Sequence, residues 1–229
     1  MKQNLRLISI VLCLVMLLSL AACGKSDVRG SVEPGSEPEN SAKPVTAEEV
    51  TYESGSTEGG VYTNEFIGIG CQLDESWIYF SDAEIAELSG IMQETIDNED
   101  VNKLLESGQQ VIDMYATTLE GLATISISIQ DLGVLYGATL DEEAYVENAM
   151  ESTIEALGDS GVTNVNLEKT SAEFAGAERT ALFITGSFSE MPIYEEIICI
   201  KKGKYMAFIT LCSFNEDVTA DLAALFYTL

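Results

Sequence analysis

A short apolar segment near the N-terminus limits which part of this 229-residue chain is left to form a globular domain. Lys2 and Arg6 precede it without any acid, and Leu7–Leu20 is almost entirely apolar. Its 14 residues are fewer than the ~20 that a helix needs to cross a bilayer. A basic start followed by such a stretch is typical of a cleavable export signal. We therefore exclude residues 1–22 from the fold and expect the mature chain to begin at Cys23.

Small residues and a cysteine follow the apolar segment directly. The sequence Leu20-Ala21-Ala22-Cys23-Gly24 resembles the bacterial lipobox, in which the thiol receives a diacylglyceryl group, the chain is cut just before it, and the new N-terminus is acylated. The resemblance implies a lipid-anchored protein on the extracytoplasmic face of a bacterial cell membrane. Because each buried CH₂ contributes ~0.8 kcal/mol, two or three acyl chains would hold it stably. An ordinary secretory signal or an uncleaved anchor is the alternative.

The segment after the cysteine is polar and lacks a pattern of secondary structure. Gly24–Gly60 holds three of the chain's four prolines, and Ser, Glu and Gly form most of the remainder. This composition buries too little surface to offset the entropy of ordering, so we predict a disordered acidic tether over residues 23–60. Its flexible part would span ~30–35 Å. Residues 61–229 then form a single domain of a size that suits one core.

The chain is strongly acidic and contains no histidine. Loss of Lys2 and Arg6 with the signal leaves nine bases against 38 acids, a formal net charge of −29. This charge argues against binding nucleic acid or lying flat on anionic lipid, and it favours solubility, cation association or a basic partner. Without histidine, Ser-His-Asp and Cys-His hydrolases and His-based zinc sites are excluded within this chain. We expect no cofactor other than the lipid on Cys23.

Three cysteines remain in the predicted domain: Cys71, Cys199 and Cys212. Each lies beside apolar residues, and a buried reduced cysteine behaves as a small hydrophobe. We interpret them as core residues, with one disulfide and a spare thiol as the alternative. No C-x-x-C spacing indicates a redox or metal site.

Hydrophobic periodicity predicts strands and helices along the whole domain. The clearest helix is Asp141–Leu157, capped by Thr139 or Asp141, with an apolar face that includes Ile154. Two late strands, apolar on both faces, are joined at Lys202-Gly203-Lys204 and should be central in the sheet. The predicted strands are 66–73, 77–80, 111–117, 123–129, 162–169, 179–188, 194–201 and 205–212. The other predicted helices are 81–88, one within 98–107, and one from Asp217 to the C-terminus.

Hairpins dominate this order, which predicts an α+β fold with a mainly antiparallel sheet flanked by helices. Three features resemble the PsbP/Mog1-like group. Tyr62-Thr63-Asn64 is similar to its opening Tyr-x-Asn hairpin, and the domain ends with a glycine-turned hairpin and a helix. Leu73-Asp74-Glu75-Ser76-Trp77 is similar to its Leu-Pro-x-x-Trp turn, with Asp74 in place of Pro. The resemblance implies an α/β/α sandwich and a binding role, but no common activity.

Several charged clusters are candidate sites. Asp97-Asn98-Glu99-Asp100 could bind Ca²⁺, but it lacks the alternating spacing of a calcium loop and is better interpreted as a helix start. Glu195 and Glu196 are adjacent in a strand, so they point to opposite faces and cannot form one acid/base pair. Lys201, Lys202 and Lys204 form a positive turn that either blunts a hairpin or serves as a docking spot.

The leading hypothesis is a membrane-anchored, non-enzymatic lipoprotein whose domain binds a protein or a small ligand. One alternative is a surface enzyme that acts on cell-wall glycans with two carboxyl groups ~5–10 Å apart. Another is an acidic protein that binds divalent cations. The sequence assigns no catalytic or metal-ligating residue, and Cys23 is the one site it identifies.

Overall fold

Two antiparallel sheets and five helices make up the residues described by the computed structural model, 51–89 and 97–229. The predicted α+β class is confirmed. The strands are β1 (Ser56–Glu58), β2 (Val61–Asn64), β3 (Ile69–Gln72), β4 (Trp77–Tyr79), β5 (Val111–Thr118), β6 (Ala123–Asp131), β7 (Val162–Phe174), β8 (Ala177–Phe188), β9 (Met191–Lys202), β10 (Tyr205–Phe214) and β11 (Phe226–Thr228). The helices are α1 (Asp82–Leu88), α2 (Asn98–Glu106), α3 (Gly133–Thr139), α4 (Glu142–Asp159) and α5 (Thr219–Ala223).

The larger sheet has seven strands in the order β4-β5-β6-β10-β9-β8-β7. β10 is the middle strand, and all ten of its residues are buried. Its Ile209 lies opposite Ile127 of β6 and Ile198 of β9. The prediction that the late apolar strands are central is therefore confirmed for β10. A strand that is covered on both faces needs apolar residues on both, which explains its continuous apolar run.

Different elements cover the two faces of this sheet. A four-stranded sheet, in the order β1-β2-β3-β11, packs with α2 and α5 on the face that carries the buried isoleucines of β6. α4 packs on the other face, where Tyr145 contacts Phe208. Asp141 caps α4 as predicted, with its carboxylate accepting from the Ala144 amide at 2.9 Å. Ile154 does not belong to the packed face of α4, since its side chain is 45 % exposed.

The folded domain begins earlier than the sequence analysis placed it, so the predicted tether boundary at Gly60 is wrong. Tyr52 is fully buried, and β1 pairs with β2. The Tyr52 ring packs edge-on against the Phe66 ring, with 5.0 Å between the ring centres. The backbone carbonyl of Tyr52 accepts from the Asn102 side-chain amide at 2.9 Å. The segment around Tyr52 is polar, so its composition predicted disorder. The burial of this one aromatic side chain is enough to order it on the domain. The rest of the predicted tether lies outside the described residues.

The C-terminus also departs from prediction. α5 ends at Ala223, and the chain then extends into β11, which pairs with β3 so that Phe226 lies opposite Cys71. The apolar residues that suggested one long helix are instead divided between a short helix and a strand. The strand forms because the edge of β3 offers hydrogen bonds. A side chain at Gly70 would overlap the Tyr227 ring.

The predicted first strand, 66–73, is shorter in the structure, since β3 starts at Ile69. The residues before it form a turn in which the Gly68 amide donates to the Asn64 carbonyl at 2.9 Å and Gly68 has a positive φ. α3 was not predicted. The three cysteines of the domain are buried and free, which confirms their interpretation as core residues.

Candidate functional site

Asp113 lies at a β-bulge between Ile112 and Met114, where the register of β5 against β6 shifts. A bulge redirects a side chain, and here the carboxylate joins the two sheets. It accepts from the Gly55 amide at 3.0 Å and from the Asn64 side-chain amide at 3.0 Å. It also accepts from the Tyr62 hydroxyl.

The phenols around Asp113 are held in their protonated form. Burial and then the negative charge of Asp113 raise the pKa of Tyr52 and of Tyr62 well above the ordinary value. Asn64 connects the group further, because its amide donates to the Tyr52 hydroxyl at 3.2 Å and its carbonyl oxygen accepts from the Ile67 amide. The Tyr62-x-Asn64 motif is thus part of a structural junction. Sequence reasoning missed Asp113, although a single acid within the apolar run of β5 was a signal.

Three concavities on the described part of the domain share one electrostatic character. They have volumes of about 550, 650 and 110 Å³. Each is lined by two carboxylates and by no Lys or Arg; the pairs are Glu173 with Glu196, Glu120 with Glu216, and Asp82 with Asp113. Carboxylates without a neighbouring base repel anions and attract cations, so the two larger concavities suit basic ligands. The smallest does not, because its Asp113 carboxylate already accepts from Gly55, Tyr62 and Asn64.

The concavity of about 550 Å³ lies beside α5, and we call it the α5 concavity. Its volume falls within the range of small-ligand pockets. The α5 residues that line it are alanines, whose small side chains do not fill it. Glu196 is its half-buried acid. Burial, and then the charge of Asp217, raise the pKa of Glu196 above the ordinary value. A cation placed beside this carboxylate would replace part of its lost hydration.

Glu195 faces the other side of the sheet, as the strand geometry predicted. It is fully buried, and burial raises the pKa of its carboxyl to about 7. Within residues 51–89 and 97–229, its Oε2 atom has no hydrogen-bond partner. Because no solute reaches it, Glu195 is not a candidate binding residue, and it cannot act together with Glu196.

The predicted acidic clusters start helices. Asp97 caps α2 by accepting from the Asp100 amide at 2.9 Å, and Glu99 pairs with Lys103 at 2.9 Å. No group of three or more acids or cysteines among the described residues is arranged to hold a metal ion. The helix-start interpretation is therefore confirmed for Asp97, and the Ca²⁺ alternative gains no support from this cluster.

Lys201, Lys202 and Lys204, which we call the lysine turn, lie at the hairpin between β9 and β10. The Lys204 ammonium pairs with Asp131 at 2.8 Å and lies 5.1 Å from the centre of the Tyr205 ring. The Lys202 ammonium lies 5.2 Å from the centre of the Phe66 ring. Both cations therefore lie above aromatic rings of the core that includes Tyr52.

The lipobox residues Leu20, Ala21, Ala22, Cys23 and Gly24 lie outside the described residues. Among the helices that are described, none combines the length and apolarity needed to cross a membrane. The chain matches no protein-family model, and no curated protein is significantly similar to it. The lipobox and the PsbP/Mog1-like resemblance therefore remain predictions from the sequence.

Proposed function

We propose that this protein is an extracytoplasmic lipoprotein, anchored through lipid on Cys23, whose non-enzymatic domain binds a basic protein segment or a small cationic ligand. The observation that carries the binding role is the pairing of two carboxylates, without a base, in each of the two larger concavities. The net charge of −29 for the mature chain acts in the same direction. The lipobox sequence supports the anchor.

The α5 concavity is the proposed binding site. Glu196 is partly desolvated there, so a Lys or Arg side chain would recover electrostatic energy that the empty site lacks. Ala220, Ala223 and Ala224 line the approach with small side chains that admit a long basic one.

We also propose that the domain is a PsbP/Mog1-like sandwich. Two motifs support this assignment. Tyr62 and Asn64 both bind Asp113. Asp74, in place of Pro, forms the turn by accepting from the Ser76 amide at 2.9 Å.

An NMR titration tests the binding role directly. Oligolysine added to the ¹⁵N-labelled protein should shift the amides of Ala220, Ala223 and Ala224, whereas oligoglutamate should not. The Glu196→Gln variant should bind oligolysine more weakly. The matched Glu155→Gln variant, altered at an exposed acid of α4 on the opposite face of the sheet, should bind normally. Equal shifts in wild type and Glu196→Gln would contradict the assignment of the site.

One observation favours a second candidate function, a surface enzyme that acts on cell-wall glycans. A carboxyl group with a raised pKa is what a general acid requires, and Glu196 shares its concavity with Glu173. Purified cell wall incubated with the protein would then release reducing ends, and Glu196→Gln would abolish the release. The binding role predicts no release by either protein.

A further inference from the structure

Three consecutive large apolar residues of α3 project into solvent. Val134, Leu135 and Tyr136, which we call the apolar triad, expose 84 %, 72 % and 57 % of their surface. Single exposed apolar residues are ordinary, whereas three large ones on one short helix are a candidate contact surface. The burial of α3 on the domain does not require these side chains, because Gly137 is its buried residue.

Close packing fixes the apolar triad beside the lysine turn. A Cβ atom at Gly137 would lie 2.7 Å from the Lys204 Cα atom, so only glycine lets α3 approach this closely. The Leu132 amide donates to the Lys204 carbonyl at 2.8 Å, and Asp131 pairs with the Lys204 ammonium. These contacts hold α3 and the lysine turn next to each other at one end of the domain.

Half of the bases of the domain lie at this end, although acids of α4 and β6 lie beside them. Residues 51–229 contain six bases, and three of them belong to the lysine turn. Asp131 neutralises Lys204, and the Glu142 carboxylate accepts from the backbone amide of Lys201 at 3.0 Å. Lys202 is exposed and forms no ion pair within the part of the chain that is described. The net charge of −29 repels the domain as a whole from an anionic surface, so the unpaired Lys202 ammonium limits any such contact to this end of the domain.

The chain that leads back to Cys23 joins the domain at the same end. The Tyr52 ring lies 6.1 Å from the Tyr205 ring and 5.0 Å from the Phe66 ring. The ammonium groups of Lys204 and Lys202 lie above these same two rings. A lipid on Cys23, joined to the domain by the tether that the sequence predicts, would therefore hold this end within about 30 Å of the bilayer.

We propose that the apolar triad and the lysine turn form a membrane-contacting surface, with the triad at the level of the lipid headgroups and Lys202 beside anionic phosphates. The proposal rests on the proposed anchor to bring the surface near the bilayer. Once the chain is tethered, the contact is intramolecular, so a weak individual affinity is enough to populate it. Apolar side chains with flanking lysines are the composition of interfacial contacts.

Spin labels test this contact. The full-length gene carrying Leu135→Cys is expressed in a bacterial host, and the protein is taken from the membranes, labelled, and reconstituted in phosphatidylcholine–phosphatidylglycerol vesicles. Ile154→Cys is the matched control, because Ile154 is an exposed apolar residue about 18 Å further along α4 from its start beside the lysine turn. Accessibility to oxygen and to a water-soluble nickel complex is measured at both labels.

On the vesicles, the label at 135 should gain oxygen accessibility and lose nickel accessibility relative to detergent, while the label at 154 should not change. Replacing Lys202 with Gln should reduce the bilayer-contacting population at 135 about fivefold. A label at 135 that stays as exposed to nickel as the label at 154 would overturn the proposal and leave the surface to a protein partner. Dipolar broadening at 135 in detergent would also overturn it, since a second copy would then cover the triad.

The chemistry at Cys23 is determined separately, from the intact mass of the same protein. A membrane-held chain without lipid on Cys23 would refute the anchor, whereas the labels at 135 and 154 would still report whether the surface contacts the bilayer.

Discussion

Glu195 should reduce the stability of the protein at neutral pH. Burial raises the pKa of its carboxyl from 4.5 to about 7. The folded state therefore binds this proton more tightly than the unfolded state does. The stabilising contribution is complete below the unfolded pKa of 4.5, is lost as the pH rises towards about 7, and stays lost above it.

The size of this effect follows from the two pKa values. The difference between 4.5 and about 7 corresponds to about 3 kcal/mol of unfolding free energy. Glu195→Gln cannot ionise, so it should not show this loss. The amide brings two donors that need partners, which lowers the stability of the variant equally at every pH. The diagnostic quantity is therefore how the difference between variant and wild type changes with pH, not its value at one pH.

Urea unfolding followed by the fluorescence of Trp77, the only tryptophan, measures this quantity. Between about pH 4 and about pH 8, Glu195→Gln should gain about 3 kcal/mol relative to wild type. Glu178→Gln, which removes an exposed carboxyl of β8, controls for the change in net charge. Parallel pH profiles for Glu195→Gln and wild type would contradict this prediction, because they would mean that Glu195 ionises as easily in the fold as in the unfolded chain.

Three further outcomes follow from the packing. Asp113→Ala should lower the unfolding free energy by about 3 kcal/mol or more in urea melts, because hydrogen bonds to a charged group contribute ~1.5–3 kcal/mol each and their donors would be left buried without a partner. An unchanged unfolding midpoint would contradict the structural role of Asp113. Tyr52→Ala should cost ~3–5 kcal/mol as a core truncation, whereas a residue in a disordered tether would cost nothing. Cys71, Cys199 and Cys212 should react with a thiol reagent only after unfolding, since burial raises the pKa of Cys71 and of Cys199 to about 12; rapid reaction of the native protein would contradict their burial.

Local patterns predicted the centre of the fold well. The isoleucines of β6 alternate at the strand period, the glycine between Lys202 and Lys204 marks a hairpin, and Asp141 caps α4 as its side-chain chemistry dictates. These features depend on neighbours close in sequence, so the sequence displays them directly.

The parts that were missed depend on partners distant in sequence. The segment around Tyr52 looks like a tether until Phe66 and Tyr205 bury its ring. β11 is a strand because the edge of β3 is open to it. Asp113 becomes a junction only when the bulge in β5 and the small sheet meet, and the apolar triad is recognised only when its exposure is known.

The intact mass of the membrane-extracted protein tests the lipoprotein assignment most directly. We expect a chain that starts at Cys23 and carries a diacylglyceryl group and an N-acyl chain. A Cys23→Ser variant should be neither acylated nor held in the membrane fraction. A wild-type chain that still begins at Met1, or one that begins at Cys23 with a free thiol, would contradict the assignment.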